Sequence, residues 1–443
     1  MELMNSEVEV YHELTNNSAT VFKQKPLFVA AIDKFVSRKR FKLNTDKDCN
    51  FILPGRKLKF DEVQQLLQHS VNNNNEKPSD VILKEANDTR KTILKNIENI
   101  LSHINQTAEK AEVPKLIIRN QRLWSNCIYD LDRVTLKAMR DAKKTIVHYS
   151  SGDEKTRFNS IVFVLTKVHE LLSKKLSVTR REMFYQNISR FRSQANLDVA
   201  VRDVCCLLET PPWNLGLIAT AKGLIAGPLT MLQQDGNVID CMASGGVLIP
   251  QDIVGLKEFQ STAKYILVVE KDAIFQKLLD EGALVRLGPV IIITGKGYPD
   301  VCTRQLLCRL CNELNLTALA LVDPDPHGYE IFLTYKYGSL AQSHLSSSLA
   351  CTSLLLLGAR HQDVMTLAPT EVRLPLTSLD KRKLVNLIKR PYLENAAGLR
   401  IKEELNAMLI SGVKAEIEAV APTQGALCDA YLPSKIILYD CLG

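Results

Sequence analysis

The sequence lacks any long hydrophobic run. Its longest nearly apolar stretch, Leu349 to Ala359, falls well short of the roughly 18 to 20 residues that a membrane-spanning helix needs. The opening residues, MELMNSEVEV, are acidic and carry no apolar core, so a secretory signal is not expected. A second CxxC is also absent. Of the 11 cysteines, Cys308 and Cys311 form one such pair and Cys205 and Cys206 are adjacent, but the number is odd and the spacing irregular. That pattern excludes a disulfide framework and leaves no completed zinc site, so the cysteines read as reduced side chains that pack as small hydrophobes. The expectation is a soluble intracellular chain without membrane association.

What is present is ordinary in bulk. The 443 residues are 46% apolar and 24% charged, the balance of globular domains, and about 150 residues per domain suggests two or three of them. Lys and Arg outnumber Asp and Glu by 56 to 49. Residues 1–88 hold 13 of each, so the whole +7 excess lies in the rest of the chain. A basic body suits an anionic partner such as nucleic acid.

Residues 1–88 read as a poorly ordered extension, with a basic patch (Lys34, Arg38, Lys39, Arg40, Lys42, Arg56, Lys57, Lys59) and an Asn72 to Asn75 run. Glu76 to Asp80 reads as a linker. The patch is open to three readings: a nuclear address, a non-specific DNA contact or a solvated face. From about Asp88, Ile93, Ile97, Ile100 and Ile104 recur at helical spacing. This stripe suits docking on a partner or packing on the same chain. A second helix is expected over about Lys155 to Lys175, with Phe158, Ile161, Leu165, Val168 and Leu172 on one face. Thr179 then caps a helix carrying Arg180 to Tyr185, with Glu182 at the capping-box position. Another helix follows over Leu197 to Leu208, and β-prone segments lie around Leu217 to Ala219 and Val247 to Ile249. This order is that of a winged helix-turn-helix.

The second half alternates strand and helix, the signature of a parallel α/β sheet. Tyr265 to Val269, Val290 to Ile293 and Ala318 to Val322 read as strands, and Ala273 to Asp280 and Thr303 to Leu314 as helices. Glu270 follows the first strand and Asp323 the third, at the carboxyl ends where open sheets bind ligands. In Asp323-Pro324-Asp325-Pro326-His327-Gly328 each aspartate precedes proline and is biased toward extended backbone. Residues two apart then point to the same side, so Asp323, Asp325 and Glu270 make a candidate Mg²⁺ site, against the simpler reading of an Asp- and Pro-rich turn. Gly295-Lys296-Gly297 is a strand-to-helix turn whose backbone suits approach to a phosphate, with Lys296 as counter-charge, and Lys222-Gly223 has a similar character. Arg181 and Tyr185, four residues apart, share a helix face. A phenol is a poor nucleophile near neutrality, and a guanidinium or metal beside it favours the phenolate. The alternative is an amphipathic tyrosine at an interface.

Together these blocks resemble one family, the topoisomerase VI A subunits and their eukaryotic relatives, the meiotic DNA double-strand-break transesterases. The resemblance runs from about residue 89 to the C-terminus through Thr179 to Tyr185, Lys222 to Gly227, Val269 to Ala273, Ile293 to Asp300 and Asp323 to Gly328. Tyr335 to Ser339 and Lys389 to Tyr392 also match. It implies an α/β multidomain protein: a helical partner-docking region at 89–150, a winged-helix domain at 151–258 and a Toprim domain at 259–443. By matching positions it implies Tyr185 as nucleophile, Arg181 as catalytic arginine, Glu270, Asp323 and Asp325 as Mg²⁺ ligands, and Lys222 and Tyr298 near DNA. It further implies double-stranded DNA as substrate, a homodimer in which one copy's tyrosine works with the other's metal, a topoisomerase VI B-like partner, and nuclear action on meiotic chromosomes. Phe184 stands where the family usually has a first tyrosine, leaving Tyr185 as the single candidate. Two other readings carry the same blocks: a strand-passage subunit, or a DNA-binding paralogue that does not cleave.

Overall fold

In the computed structural model, residues 78–120, 123–129, 133–150, 152–438 and 440–443 are described, with side chains from residue 88 onward. The basic patch and the asparagine run lie outside them. The last residues of the expected linker do not: Pro78 opens a helix, α1 (Pro78–Glu109). Proline suits a first helical position because its missing N–H would have no partner there.

The described chain separates into two compact units, one holding 78–118 and 145–218, the other 119–144 and 219–443. The first is helical. Besides α1 it contains α2 (Gly152–Lys174), α3 (Arg180–Gln186) and α4 (Gln194–Leu207). The predicted stripe on α2 is the buried one: Phe158, Ile161, Leu165, Val168 and Leu172 all lie inside, with Leu197, Val201 and Val204 of α4. On α1, Ile93 and Ile97 are buried, and α1 packs against α2. Arg157 of α2 holds the buried Asp203 of α4 through Nε at 2.8 Å. A parallel pair, Val178–Thr179 with Leu217–Ile218, leads into α3.

The second unit is built on a six-stranded sheet. Its strands are β1 (Leu224–Ala226), β2 (Val247–Leu248), β3 (Tyr265–Val269), β4 (Val290–Thr294), β5 (Thr317–Leu321) and β6 (Leu355–Gly358). They lie in the order β2-β1-β4-β3-β5-β6. The four from β3 to β6 run parallel, and β1 and β2 add antiparallel at one edge. The segment around Val247, β-prone in sequence and suggestive of a wing, is thus an edge strand of this sheet. Its pairing surface is Leu224 and Ile225, which local propensity cannot reveal.

Strands β3, β4 and β5 are buried at every position, as continuous apolar runs in a sheet covered on both faces must be. Alternate residues feed two cores: Ile266, Val268, Ile291, Ile293, Ala318 and Ala320 face one, and Tyr265, Leu267, Val269, Ile292, Leu319 and Leu321 the other. Each large aliphatic side chain so buried contributes about 1.5 to 3 kcal/mol. The helices α5 (Asp272–Asp280), α6 (Val301–Glu313) and α7 (Pro326–Tyr337) follow β3, β4 and β5 in turn. From β3 the chain passes to β4 on one side; from β5 it passes to β6 on the other. The gap between the carboxyl ends of β3 and β5 is therefore a topological switch point, where open α/β sheets bind ligands.

Candidate functional site

Glu270 and Asp323 stand at that switch point. The Asp323 N–H donates to Glu270 Oε2 at 2.8 Å, and the Glu270 N–H donates to the Leu321 carbonyl at 3.1 Å. Both carboxylates are buried, at 7% and 5% exposure. Burial, reinforced by the charge of Asp323, pushes the Glu270 carboxyl up to about 8. Burial likewise raises Asp323 to about 6, against the pull of Lys271. Asp325 caps α7: its backbone is extended and its Oδ1 accepts the Gly328 N–H at 2.7 Å. Its carboxyl is also raised by burial, and its charge adds to the field on Glu270. The residue at 328 must be glycine, because a Cβ there would sit 2.2 Å from the Asp323 carbonyl oxygen and 2.9 Å from Glu270 Oε2.

Asp323 and Asp325 both raise the charge cost at Glu270, and a divalent cation held by these hard oxygen donors would relieve it. Two further acids join Asp323. Asp323, Glu416 and Glu418 place carboxylate oxygens within 4.8 Å of one another. In 415–418 burial alternates, with Ala415 and Ile417 inside and Glu416 and Glu418 outside. The Ile417 N–H donates to Asp323 Oδ1 at 3.0 Å. Lys271 Nζ lies among the acids, 3.0 Å from Asp323, 3.7 Å from Glu418 and in direct contact with Glu416. Sequence reasoning missed this pair of glutamates. The alternating Ala415-Glu416-Ile417-Glu418 pattern is visible, but nothing local ties it to a strand end so far back in the chain.

Beside the acids, the predicted basic turn is assembled. Lys222 donates from Nζ to the Lys296 carbonyl at 3.0 Å and from its backbone N–H to Asp300 at 2.8 Å. Lys296 and Gly297 take left-handed backbone, φ 52° and 85°. The Gly297 N–H donates to the Glu270 carbonyl at 2.9 Å, and Lys296 Nζ pairs with Asp272 at 3.0 Å. Tyr298 is 43% exposed. Its hydroxyl donates to Glu330, which also binds Lys383 and Arg390.

In the helical unit, Thr179 Oγ1 accepts the Glu182 N–H at 3.1 Å and starts α3. The reciprocal half of a capping box does not form; the Glu182 carboxylate accepts from Gln186 instead. Met183 is buried and anchors the helix, while Tyr185 is 58% exposed. The Arg181 guanidinium lies 5.8 Å from the Tyr185 ring centre, within cation–π range. The structure thus brings Arg181 and Tyr185 together in one unit, and Glu270, Asp323, Asp325, Lys222, Lys296 and Tyr298 in the other.

An acid-lined switch point in one unit and a solvent-facing tyrosine with an arginine in the other fit the class that the family models give: a Toprim α/β unit joined to a helical unit. Residues 265–436 match the family model for the Toprim domain of topoisomerase 6 A-type subunits and Spo11, and residues 156–217 match "Type IIB DNA topoisomerase". The chain is 35% identical to the meiotic recombination protein SPO11 of Mus musculus, over 78% of this chain and 87% of the mouse protein. It is 36% identical to the meiotic recombination protein W68 of Drosophila melanogaster, over 71% and 94% of the two chains. To the A-type subunit of DNA topoisomerase 6 from Arabidopsis thaliana it is 35% identical, over 72% and 75%. The chain belongs to the family of Spo11 and the topoisomerase 6 A-type subunits, and is a topoisomerase-like DNA transesterase. No helix among the described residues is long and apolar enough to cross a membrane.

Proposed function

We propose that this protein makes DNA double-strand breaks that initiate meiotic recombination, with Tyr185 as the nucleophile. The Tyr185 oxygen attacks a backbone phosphorus; the Tyr–O–P bond forms as the P–O3′ bond breaks, the phenolic proton passes to solvent and the 3′ oxygen leaves as a hydroxyl. The product is a 5′-phosphotyrosyl link, conserving the phosphoester without ATP. Arg181 stabilises charge on the phenolate and the attacked phosphate. Glu270, Asp323 and Asp325 would hold Mg²⁺, which supplies Lewis-acid stabilisation of phosphoryl and leaving oxygens. Lys222, Lys296 and Tyr298 contact the DNA backbone beside the acids. The unit bearing α2, α3 and α4 acts as a helical DNA reader, without the wing expected around Val247, the region around α1 docks a B-like partner, and a homodimer on DNA supplies one tyrosine per strand. The site of action is the nucleus, on meiotic chromosomes.

The observation that carries this reading is the exposure of Tyr185 beside Arg181, which leaves the phenol ring open to a substrate with a guanidinium within reach. The kinship with SPO11 and W68, both named as meiotic recombination proteins, supports the setting. The test is recovery of the protein from meiotic cells with oligonucleotides covalently attached. The wild type carries them and Tyr185→Phe carries none; an adduct that persists in Tyr185→Phe removes the assignment.

A further inference from the structure

Asp323 has both of its oxygens engaged by protein. Oδ1 accepts the Ile417 N–H at 3.0 Å, and Oδ2 faces the Lys271 ammonium at 3.0 Å. An ammonium on a carboxylate that has to hold a divalent cation is a competitor, since it takes the same lone pairs and adds a like charge. Lys271 is not committed to Asp323, however. Its Nζ also contacts Glu416 and lies 3.7 Å from Glu418. These glutamates are about half exposed, at 55% and 48% of their side chains, whereas the Asp323 side chain is 8% exposed. The ammonium thus has a solvent-facing pair of carboxylates to rest on, supplied by the segment whose backbone N–H fixes the other oxygen of Asp323.

We propose that Glu416 is a positioning residue of the acid site and acts through Lys271. It draws the ammonium off Asp323, so that Asp323 can hold a divalent cation while its orientation is kept by the Ile417 N–H. The inference rests on the reading of Glu270, Asp323 and Asp325 as the metal ligands. Removing the Glu416 charge leaves Lys271 to fall onto Asp323, and cation binding weakens. Once Lys271 is neutral, Glu416 has nothing to hold and its removal costs little.

The experiment is a double-mutant cycle on the full chain, with Mn²⁺ binding read by electron paramagnetic resonance of the free ion, without DNA or turnover. Asp325→Asn, which removes a ligand, marks the signal that belongs to this site. Glu416→Gln raises the Mn²⁺ dissociation constant about tenfold, the effect typical of an outer partner of a metal ligand. Glu416→Asp, which keeps the charge, stays within about threefold of wild type. In a Lys271→Met background, Glu416→Gln changes the constant by less than about twofold, because coupled residues do not add. Lys271→Gln takes the place of Lys271→Met if thermal melting shows the methionine variant unfolded. Unchanged binding in Glu416→Gln overturns the inference alone, as does an equal loss with and without the Lys271 ammonium. A wild type whose Mn²⁺ binding ignores Asp325→Asn overturns the metal-site reading together with it.

Discussion

The two chemical centres are built in opposite ways. Tyr185 and Arg181 sit on a seven-residue helix anchored by one buried methionine, facing solvent and making few commitments to the rest of their unit. Glu270 and Asp323 are buried at the ends of core strands, tied to each other, to Lys271 and to Ile417, with both carboxyls raised toward neutrality. The proposed nucleophile, Tyr185, is structurally cheap. The acid site is costly to the fold before any cation arrives, the trade seen where charge is held in place for function. Mutations in the two places should therefore separate activity from stability in different ways.

The largest effect is the sharpest form of this contrast. Tyr185→Phe abolishes the covalent adduct, yet shifts stability by no more than about 0.5 kcal/mol, as for exposed substitutions generally; thermal melting beside an adduct assay checks both. At Glu270 the expectation inverts. Its folded carboxyl titrates near 8, against about 4.3 in an unfolded chain. Between those values the folded state binds the proton more tightly. The stabilisation is complete below the lower value and is lost as pH rises through the upper one. In chelator, the wild type therefore loses stability from about pH 4 to 8, on the order of a few kcal/mol, with Asp323, raised to about 6, adding to the acid half of that loss. Glu270→Gln removes the part of the slope above about pH 6 and becomes the more stable protein at the alkaline end while losing cleavage. A parallel pH profile of melting for the two proteins would break the comparison. Gly328→Ala strikes the same site through backbone. Its Cβ would meet the Asp323 carbonyl at 2.2 Å, so overpacking costs about 1 to 3 kcal/mol, and Mn²⁺ binding weakens with it.

Legibility in sequence followed the same divide. Tyr265–Val269 forms a strand over the residues its apolar run marks out, because a doubly covered strand writes its burial into every position. The helix after β4 begins at Val301, before the expected Thr303, since Asp300 caps it by accepting the Thr303 N–H at 2.8 Å. That cap is readable in the sequence, since an aspartate three residues ahead of a threonine N–H suits an N-cap. Glu416 and Glu418 were not readable. Their meeting with Lys271 depends on how the C-terminal segment returns to the sheet, a contact that no local pattern encodes. The edge strand Val247–Leu248 is a like case, with a propensity that was visible and a partner that was not.

The smallest expected effect probes how little holds the nucleophile in place. In a helix as short as Arg180–Gln186 the first-turn N–H groups are a large share of all its hydrogen-bonding groups, and Thr179 satisfies one of them. Thr179→Ala should cost about 1 kcal/mol of local helix stability. It leaves the backbone pairing of Val178–Thr179 with Leu217–Ile218 in place. Tyr185 then samples more orientations without being lost, and adduct yield falls several-fold instead of vanishing. Thr179→Ser keeps the capping oxygen and restores the yield. If Thr179→Ala proved as damaging as Tyr185→Phe, the helix would be no lightly tethered carrier but part of the cooperative core. The contrast between an inexpensive nucleophile and a costly acid site would then be wrong on its first side.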